Sequence, residues 1–164
     1  MSTEPVLVLR APVSGRTVAL GEVPDPVFAT GMVGFGIAIE PEQGVVRAPA
    51  DGEVTVLFPT HHALALVTAE GLEILIHVGI ESVKLNGMFT ACVAMGQAVK
   101  AGDILLRFDL PALRQEASSS LCPLIVTRLP AEYRLEMTPA GETVTAGVDP
   151  AVVVFRKEVR RWSN

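Results

Sequence analysis

The chain has 164 residues and a mass of 17.4 kDa, enough for a hydrophobic core that needs no disulfide or structural metal to fold. Hydrophobic residues make up 49% and charged residues 19%, which excludes a disordered chain. Thirteen basic against eighteen acidic residues give a net charge of −5, a poor basis for general binding of nucleic acid or anionic lipid.

Fourteen Gly and twelve Pro punctuate the chain. Their spacing, roughly every eight to twelve residues, is the rhythm of an all-β sandwich or barrel. The predicted strands are Val6–Leu9, Arg16–Leu20, Ile37–Pro41, Gly44–Ala48, Gly52–Phe58, Ala63–Thr68, Glu73–Val78, Ile104–Phe108, Leu124–Thr127 and Ala151–Arg156. Helical signal is thin. A short helix is predicted over Leu110–Glu116, with Asp109 as N-cap and Pro111 in its first turn, and a further helical turn at Pro130–Leu135. With no linker or low-complexity segment, residues 1–164 read as one domain, with a core from about 6 to 156. The basic tail, 157–164, reads as solvated. Met1–Pro5 holds no basic-then-apolar signal, and no apolar run reaches the ~18–20 residues of a membrane span, so a soluble cytoplasmic protein is expected. Cys92 and Cys122, with no CxxC pairing, read as ordinary buried thiols.

Two segments return along the chain. Ala11-Pro-Val-Ser-Gly15 is echoed by Ala48-Pro-Ala-Asp-Gly52, and Gly96-Gln-Ala-Val99-Lys-Ala-Gly102 by Gly141-Glu-Thr-Val144-Thr-Ala-Gly147. A turn Gly with an apolar residue at fixed offset is what a repeated hairpin requires. Either duplication or reuse of turn chemistry gives this pattern.

All three histidines, His61, His62 and His77, are close in sequence. Thr60–Thr68 and Glu73–Val78 are predicted to form a hairpin with a two-residue turn at Ala69-Glu70. That register sets Ala63, Ala65 and Val67 on the core face opposite Ile76, Ile74 and Leu72. On the other face His62 lies directly opposite His77, and Leu64 opposite Leu75. Two facing imidazoles on an apolar surface suit three roles. They could be metal ligands, although His61 points away and no third ligand is offered. They could be a structural pair. Or one neutral imidazole could take up a phosphoryl group while the other donates a hydrogen bond to its oxygens. The unperturbed pKa of ~6.5 leaves histidine largely neutral, hence nucleophilic, at cytoplasmic pH.

Ala11–Gly15, Val23-Pro-Asp-Pro-Val-Phe28, Gly34-Phe-Gly-Ile-Ala-Ile39 and Ala48–Gly52 resemble glucose-type enzyme IIA of the bacterial phosphoenolpyruvate:sugar phosphotransferase system. So do Phe58-Pro-Thr-His-His-Ala63, Ile76-His-Val-Gly-Ile80 and Phe108-Asp-Leu-Pro111. The resemblance runs from about Val8 to Phe155. It implies a β-sandwich, a barrel-sandwich hybrid built from a duplicated motif, with a few short helical turns. It implies no cofactor and no metal. His77 matches the phosphoacceptor, His62 the second active-site histidine, and Thr60 the threonine that orients an imidazole. The implied donor is the carrier HPr and the implied acceptor a cysteine on the IIB domain of a sugar permease. Val27, Phe28, Phe58 and Leu75 match the apolar docking surround, and Asp25 and Glu81 acidic rim positions. Some relatives also bind regulatory targets through this face.

The chain departs from that pattern in places. Glu81 replaces the more typical aspartate, Lys84 stands where an acid is expected, and Phe35 where Gly-Asp-Gly is common. The loop at Gly87-Met-Phe89 is one residue short. These changes touch the rim and bear on partner identity. A biotinyl or lipoyl carrier would need a lysine on a tight hairpin, which Lys84, Lys100 and Lys157 do not provide. A zinc peptidase of the related sandwich type would need a His-x-His set. The alternative that survives is a regulatory descendant that binds partners without relaying phosphate.

Overall fold

The computed structural model describes residues 4–82 and 87–158. Fourteen strands run through them: β1 Leu7–Arg10, β2 Gly15–Ala19, β3 Phe35–Pro41, β4 Val45–Arg47, β5 Gly52–Leu57, β6 Ala63–Val67 and β7 Glu73–His77 in the first half. The second half holds β8 Phe89–Ala91, β9 Ala98–Val99, β10 Ile104–Phe108, β11 Cys122–Arg128, β12 Tyr133–Met137, β13 Thr143–Val144 and β14 Pro150–Arg156. Two short helices, α1 Pro26–Ala29 and α2 Leu110–Glu116, and one 3₁₀ turn at Leu20–Glu22 interrupt them. Asp109 caps α2 as expected, its carboxylate accepting the Ala112 N–H at 3.0 Å. Asp25 caps α1 in the same way, accepting from Val27 N–H at 2.9 Å with Pro26 inside the first turn.

All pairings are antiparallel. The eight-stranded sheet has the order β13-β2-β3-β11-β7-β6-β5-β9, and two three-stranded sheets have the orders β1-β14-β12 and β4-β10-β8. The large sheet has like ends: at each, a two-residue edge strand pairs with a Gly-led strand, β13 with β2 and β9 with β5. The sequence echoes fall on matching places, with Gly15 paired to Val144 at one end and Gly52 to Val99 at the other. The repeat is thus carried by the architecture as well as the sequence.

Strand periodicity sorts two clusters across the large sheet. Ile37, Ile39, Leu64, Leu66, Ile74, Ile76, Leu124 and Val126 point into the main core, together with Leu9, Val46, Leu105, Leu106, Val152 and Val154 from the small sheets. Their neighbours Ala38, Ile125 and Leu75 point the other way and build a second, smaller cluster with Val23, Phe28 and Ile80. That second face carries α1 and, at the end of β7, His77.

Three local expectations are corrected. The β6–β7 hairpin pairs Ala63 with His77, Leu64 with Ile76 and Ala65 with Leu75, one residue from the expected register. Its loop is Ala69-Glu70-Gly71, closed by a Thr68 N–H to Leu72 carbonyl bond at 3.0 Å, with Gly71 at φ +93°. A left-handed glycine makes this a three-residue loop with a bulge, and one extra residue exchanges the faces. Leu64 and Leu66 are therefore core, and Ala63 and Ala65 lie on the histidine face. Second, Tyr133–Met137 is a strand against β14, where a helical turn was expected at Pro130–Leu135. Arg134, Glu136 and Met137 are exposed and Tyr133 buried, a half-buried edge that carries too little apolar alternation to be read as a strand. Third, Cys92 is exposed; only Cys122 is buried, and burial pushes its thiol up to about 12. Lys84 and residues 159–164 of the tail lie outside the described residues. Among the described residues no helix is long and apolar enough to cross a membrane.

Candidate functional site

His77 is the last residue of β7 and lies on the second face, its ring 5.1 Å from that of Phe28 on α1. Two residues on, the chain turns through Gly79 at φ +75°. A Cβ there would come within 2.7 Å of the Leu113 side chain and 3.2 Å of the Ser119 carbonyl, so the position requires glycine twice over. The turn brings the Gly79 carbonyl to 2.7 Å from Nδ1 of His77. A carbonyl oxygen can only accept, so Nδ1 carries the proton and the neutral ring presents a lone pair on Nε2.

His62 arrives from the other side of the hairpin mouth. Phe58 to His61 form a turn closed by the His61 N–H on the Phe58 carbonyl at 2.7 Å, and His61 occupies the left-handed region at φ 60°. That conformation interrupts the strand alternation just before β6. It lets the His62 ring meet His77 at 4.9 Å, edge to face, although the two residues are not cross-strand partners. The Val78 N–H fixes the backbone there by donating to the His62 carbonyl at 2.8 Å. Phe58 lies 5.5 Å from the His62 ring and Phe89 of the main core 6.3 Å. The Thr60 hydroxyl is hydrogen-bonded to Nδ1 of His62. With the hydroxyl donating, the neutral ring keeps its proton on Nε2, the nitrogen free for a ligand.

Both rings are held neutral. Burial pushes His62 down to about 4, with the neighbouring His77 adding to the effect. Burial also lowers His77, opposed by its bond to the Gly79 carbonyl and by the charge of Asp25. A lone pair on one ring and an N–H on the other, beside each other in an apolar surround, are the parts of a nucleophile and an electrophilic support.

The structure thus brings His62, His77, Thr60, Phe28 and Phe58 into one contact network, with Leu75 in the cluster beneath and Asp25 at the cap of α1. Val27 on α1 is 42% exposed. Glu81 is exposed, at φ 56°, and accepts a hydrogen bond from the Ser118 hydroxyl at 2.6 Å. Two participants were not singled out from the sequence. The Gly79 carbonyl was signalled by the glycine two residues after His77. Phe89 had no signal, because it reaches His62 through tertiary packing. Among the described residues no three His, Cys, Asp or Glu side chains gather to hold a metal.

An antiparallel sandwich that presents a proton-fixed imidazole beside a second neutral one is suited to a phosphoryl-carrier class of protein. Comparison with known proteins makes this specific. Residues 7–131 match the family model described as phosphoenolpyruvate-dependent sugar phosphotransferase system, EIIA 1. The solved glucose permease IIA from Mycoplasma capricolum is 36% identical, with 89% of this chain and 94% of that chain covered and a TM-score of 0.83. Helicobacter pylori Csd3 aligns at 13% identity over 85% of this chain and 37% of its own, with a TM-score of 0.46, too low to bear on the fold. The chain belongs to the glucose-type EIIA family of the sugar phosphotransferase system and is a phosphoryl carrier in sugar uptake.

Proposed function

We propose that the phosphoryl group is carried on Nε2 of His77. The observation that carries this reading is the 2.7 Å bond from Nδ1–H to the Gly79 carbonyl, which leaves Nε2 as the one nucleophilic nitrogen of that ring. Nε2 attacks the phosphorus of a phosphohistidine on HPr; the P–N bond to the donor breaks as the new one forms, and the donor imidazole leaves with the electron pair. In the second transfer a cysteine thiolate of a IIB domain attacks the same phosphorus and His77 leaves neutral. No net proton moves in the first step, so positioning is the main catalytic contribution.

His62 then supplies an N–H from Nε2 to an equatorial phosphoryl oxygen, and Thr60 fixes the tautomer that makes this possible. Val27, Phe28, Phe58 and Leu75 exclude water and offer the apolar surface on which each partner docks in turn, which strengthens that hydrogen bond. Asp25 and Glu81 face a basic carrier. A relay between HPr and a permease domain is cytoplasmic.

The test is intact-mass spectrometry with phosphoenolpyruvate, enzyme I and HPr at neutral pH, beside a His77→Gln variant. A gain of ~80 Da, acid-labile, dependent on HPr and lost in the variant, is expected for phosphohistidine. A gain that survives in His77→Gln moves the carrier to another residue and ends this assignment. No gain in the folded wild type leaves the regulatory, partner-binding reading.

A further inference from the structure

The run Ser118-Ser119-Ser120 joins α2 to β11, and each of its hydroxyls is engaged. Ser118 donates to Glu81 at 2.6 Å, Ser120 donates to Glu40 at 2.6 Å, and Ser119 accepts the Leu121 N–H at 3.2 Å. Its backbone grips the segment that follows His77. The Ile80 N–H donates to the Ser119 carbonyl at 2.8 Å, and the Ser118 N–H donates to the Ile80 carbonyl at 3.0 Å. Ile80 itself is buried in the second cluster.

This grip falls where the β7–β11 ladder slips. Leu124 pairs with Ile76, and the next bridge joins Ser119 to Ile80. Five residues on one side thus span four on the other. The extra residue lies on the serine side, where the Ser119 hydroxyl stabilises it by holding the Leu121 amide. Bulges of this kind re-aim the chain beside a functional site. Here the consequence is specific. The peptide group between Gly79 and Ile80 holds Nδ1–H of His77 on its oxygen and the Ser119 carbonyl on its nitrogen. Hydrogen bonds in such a chain polarise one another.

We propose that Ser118 and Ser119 form a positioning clamp for phosphoryl transfer: their hydroxyls, on Glu81 and on the Leu121 amide, fix the bulge whose backbone holds Ile80 on both sides, and this keeps the Gly79 carbonyl on Nδ1 of His77 and so maintains a single tautomer with Nε2 presented. Neither serine touches the phosphoryl group; they act through the bulge on the Gly79–Ile80 peptide. The inference rests on His77 being the carrier, so wild-type phosphorylation at His77 is established first.

The experiment compares wild type, a Ser118→Ala/Ser119→Ala double variant and Ser119→Thr. The readouts are phosphoryl transfer from phospho-HPr and the ¹⁵N shifts of the His77 ring. The double variant is expected to lose on the order of tenfold in kcat, as small misplacement of a reacting group does, with KM within about twofold. Its His77 shifts should move from one Nδ1–H tautomer toward a mixture, and Ser119→Thr, which keeps the hydroxyl, should behave as wild type. In wild type the Ile80 amide should be protected from hydrogen exchange and shift when His77 is phosphorylated, a readout that holds even if the double variant does not fold. An unchanged kcat with an unchanged tautomer overturns the proposal, as does a loss confined to KM or an Ile80 amide that exchanges freely and ignores phosphorylation. If wild type carries no phosphoryl group on His77, it is the carrier assignment that fails instead.

Discussion

The two sides of the hairpin mouth deliver the same side chain to the same place and make different chemical groups of it. On the Gly79 side, a backbone carbonyl holds Nδ1 of His77 and can only accept, so the outward nitrogen bears a lone pair. On the Thr60 side, a hydroxyl holds Nδ1 of His62, and where it donates, the outward nitrogen bears the proton. Their rings are 4.9 Å apart and share an apolar surround. In the proposed division of roles, nucleophile and support are set by the atom behind each ring, more than by the ring itself.

Breaking the carbonyl side has the largest expected effect. His77→Gln should abolish the acid-labile mass gain while leaving the melting temperature close to that of wild type, since His77 is only partly buried. On the hydroxyl side, His62→Ala should keep His77 as the acceptor and slow transfer by about 10²–10³-fold, the usual cost of losing one preorganised donor to a developing charge. Quenched-flow transfer from phospho-HPr separates the two outcomes.

The pH dependence sharpens the comparison. His62 is depressed to about 4 in the folded protein and titrates near 6.5 when unfolded. Between those values the unfolded chain binds a proton that the folded chain refuses, so stability rises with pH through this window and is complete above it. The difference amounts to ~3 kcal/mol of stability lost on going from pH 7 to below pH 4. Urea unfolding across pH 4–7 should show this slope and His62→Gln should flatten much of it. Phosphoryl acceptance by the neutral His77 should stay level from pH 8 to 7 and fall only on the acid side.

Thr60→Val should cost about tenfold in transfer rate, the worth of one net hydrogen bond, with His62 left in place but its tautomer free. The smallest effect is expected at His61, which sits in the left-handed region beside the site. His61→Asn, a residue more at ease there, should raise the melting temperature by roughly 1–2 °C and leave transfer unchanged.

How much of this was legible follows from which residues carry the information locally. The all-β class, the Asp109 cap and most strands rest on short-range turn and cap chemistry, and they came through with boundary shifts of one or two residues. The duplication was visible in Gly15 and Gly52 because each must approach a neighbouring backbone: a Cβ would fall 1.9 Å from the Glu40 carbonyl at the first and 2.6 Å from that of Val67 at the second. The hairpin register failed on one glycine. Gly71 makes a three-residue loop, and a single residue is enough to exchange the faces. The His62–His77 meeting was nonetheless anticipated, through the wrong geometry: it depends on the left-handed His61, not on direct strand pairing. Short α1 rests on the Asp25 cap and Pro26, and Ala98–Val99 and Thr143–Val144 lie inside the echoed segments, but none of the three is long enough for a periodicity to mark it as helix or strand. The edge strand Phe89–Ala91 and the contact of Phe89 with His62 are set by tertiary packing.

The most direct measurement is ³¹P–¹⁵N NMR of the phosphorylated protein with labelled histidine. Phosphorus coupled to Nε2 of His77, with Nδ1 of the same ring still protonated, is the predicted result. Coupling to Nδ1 of His77, or to either nitrogen of His62, would contradict the division of roles set by Gly79 and Thr60.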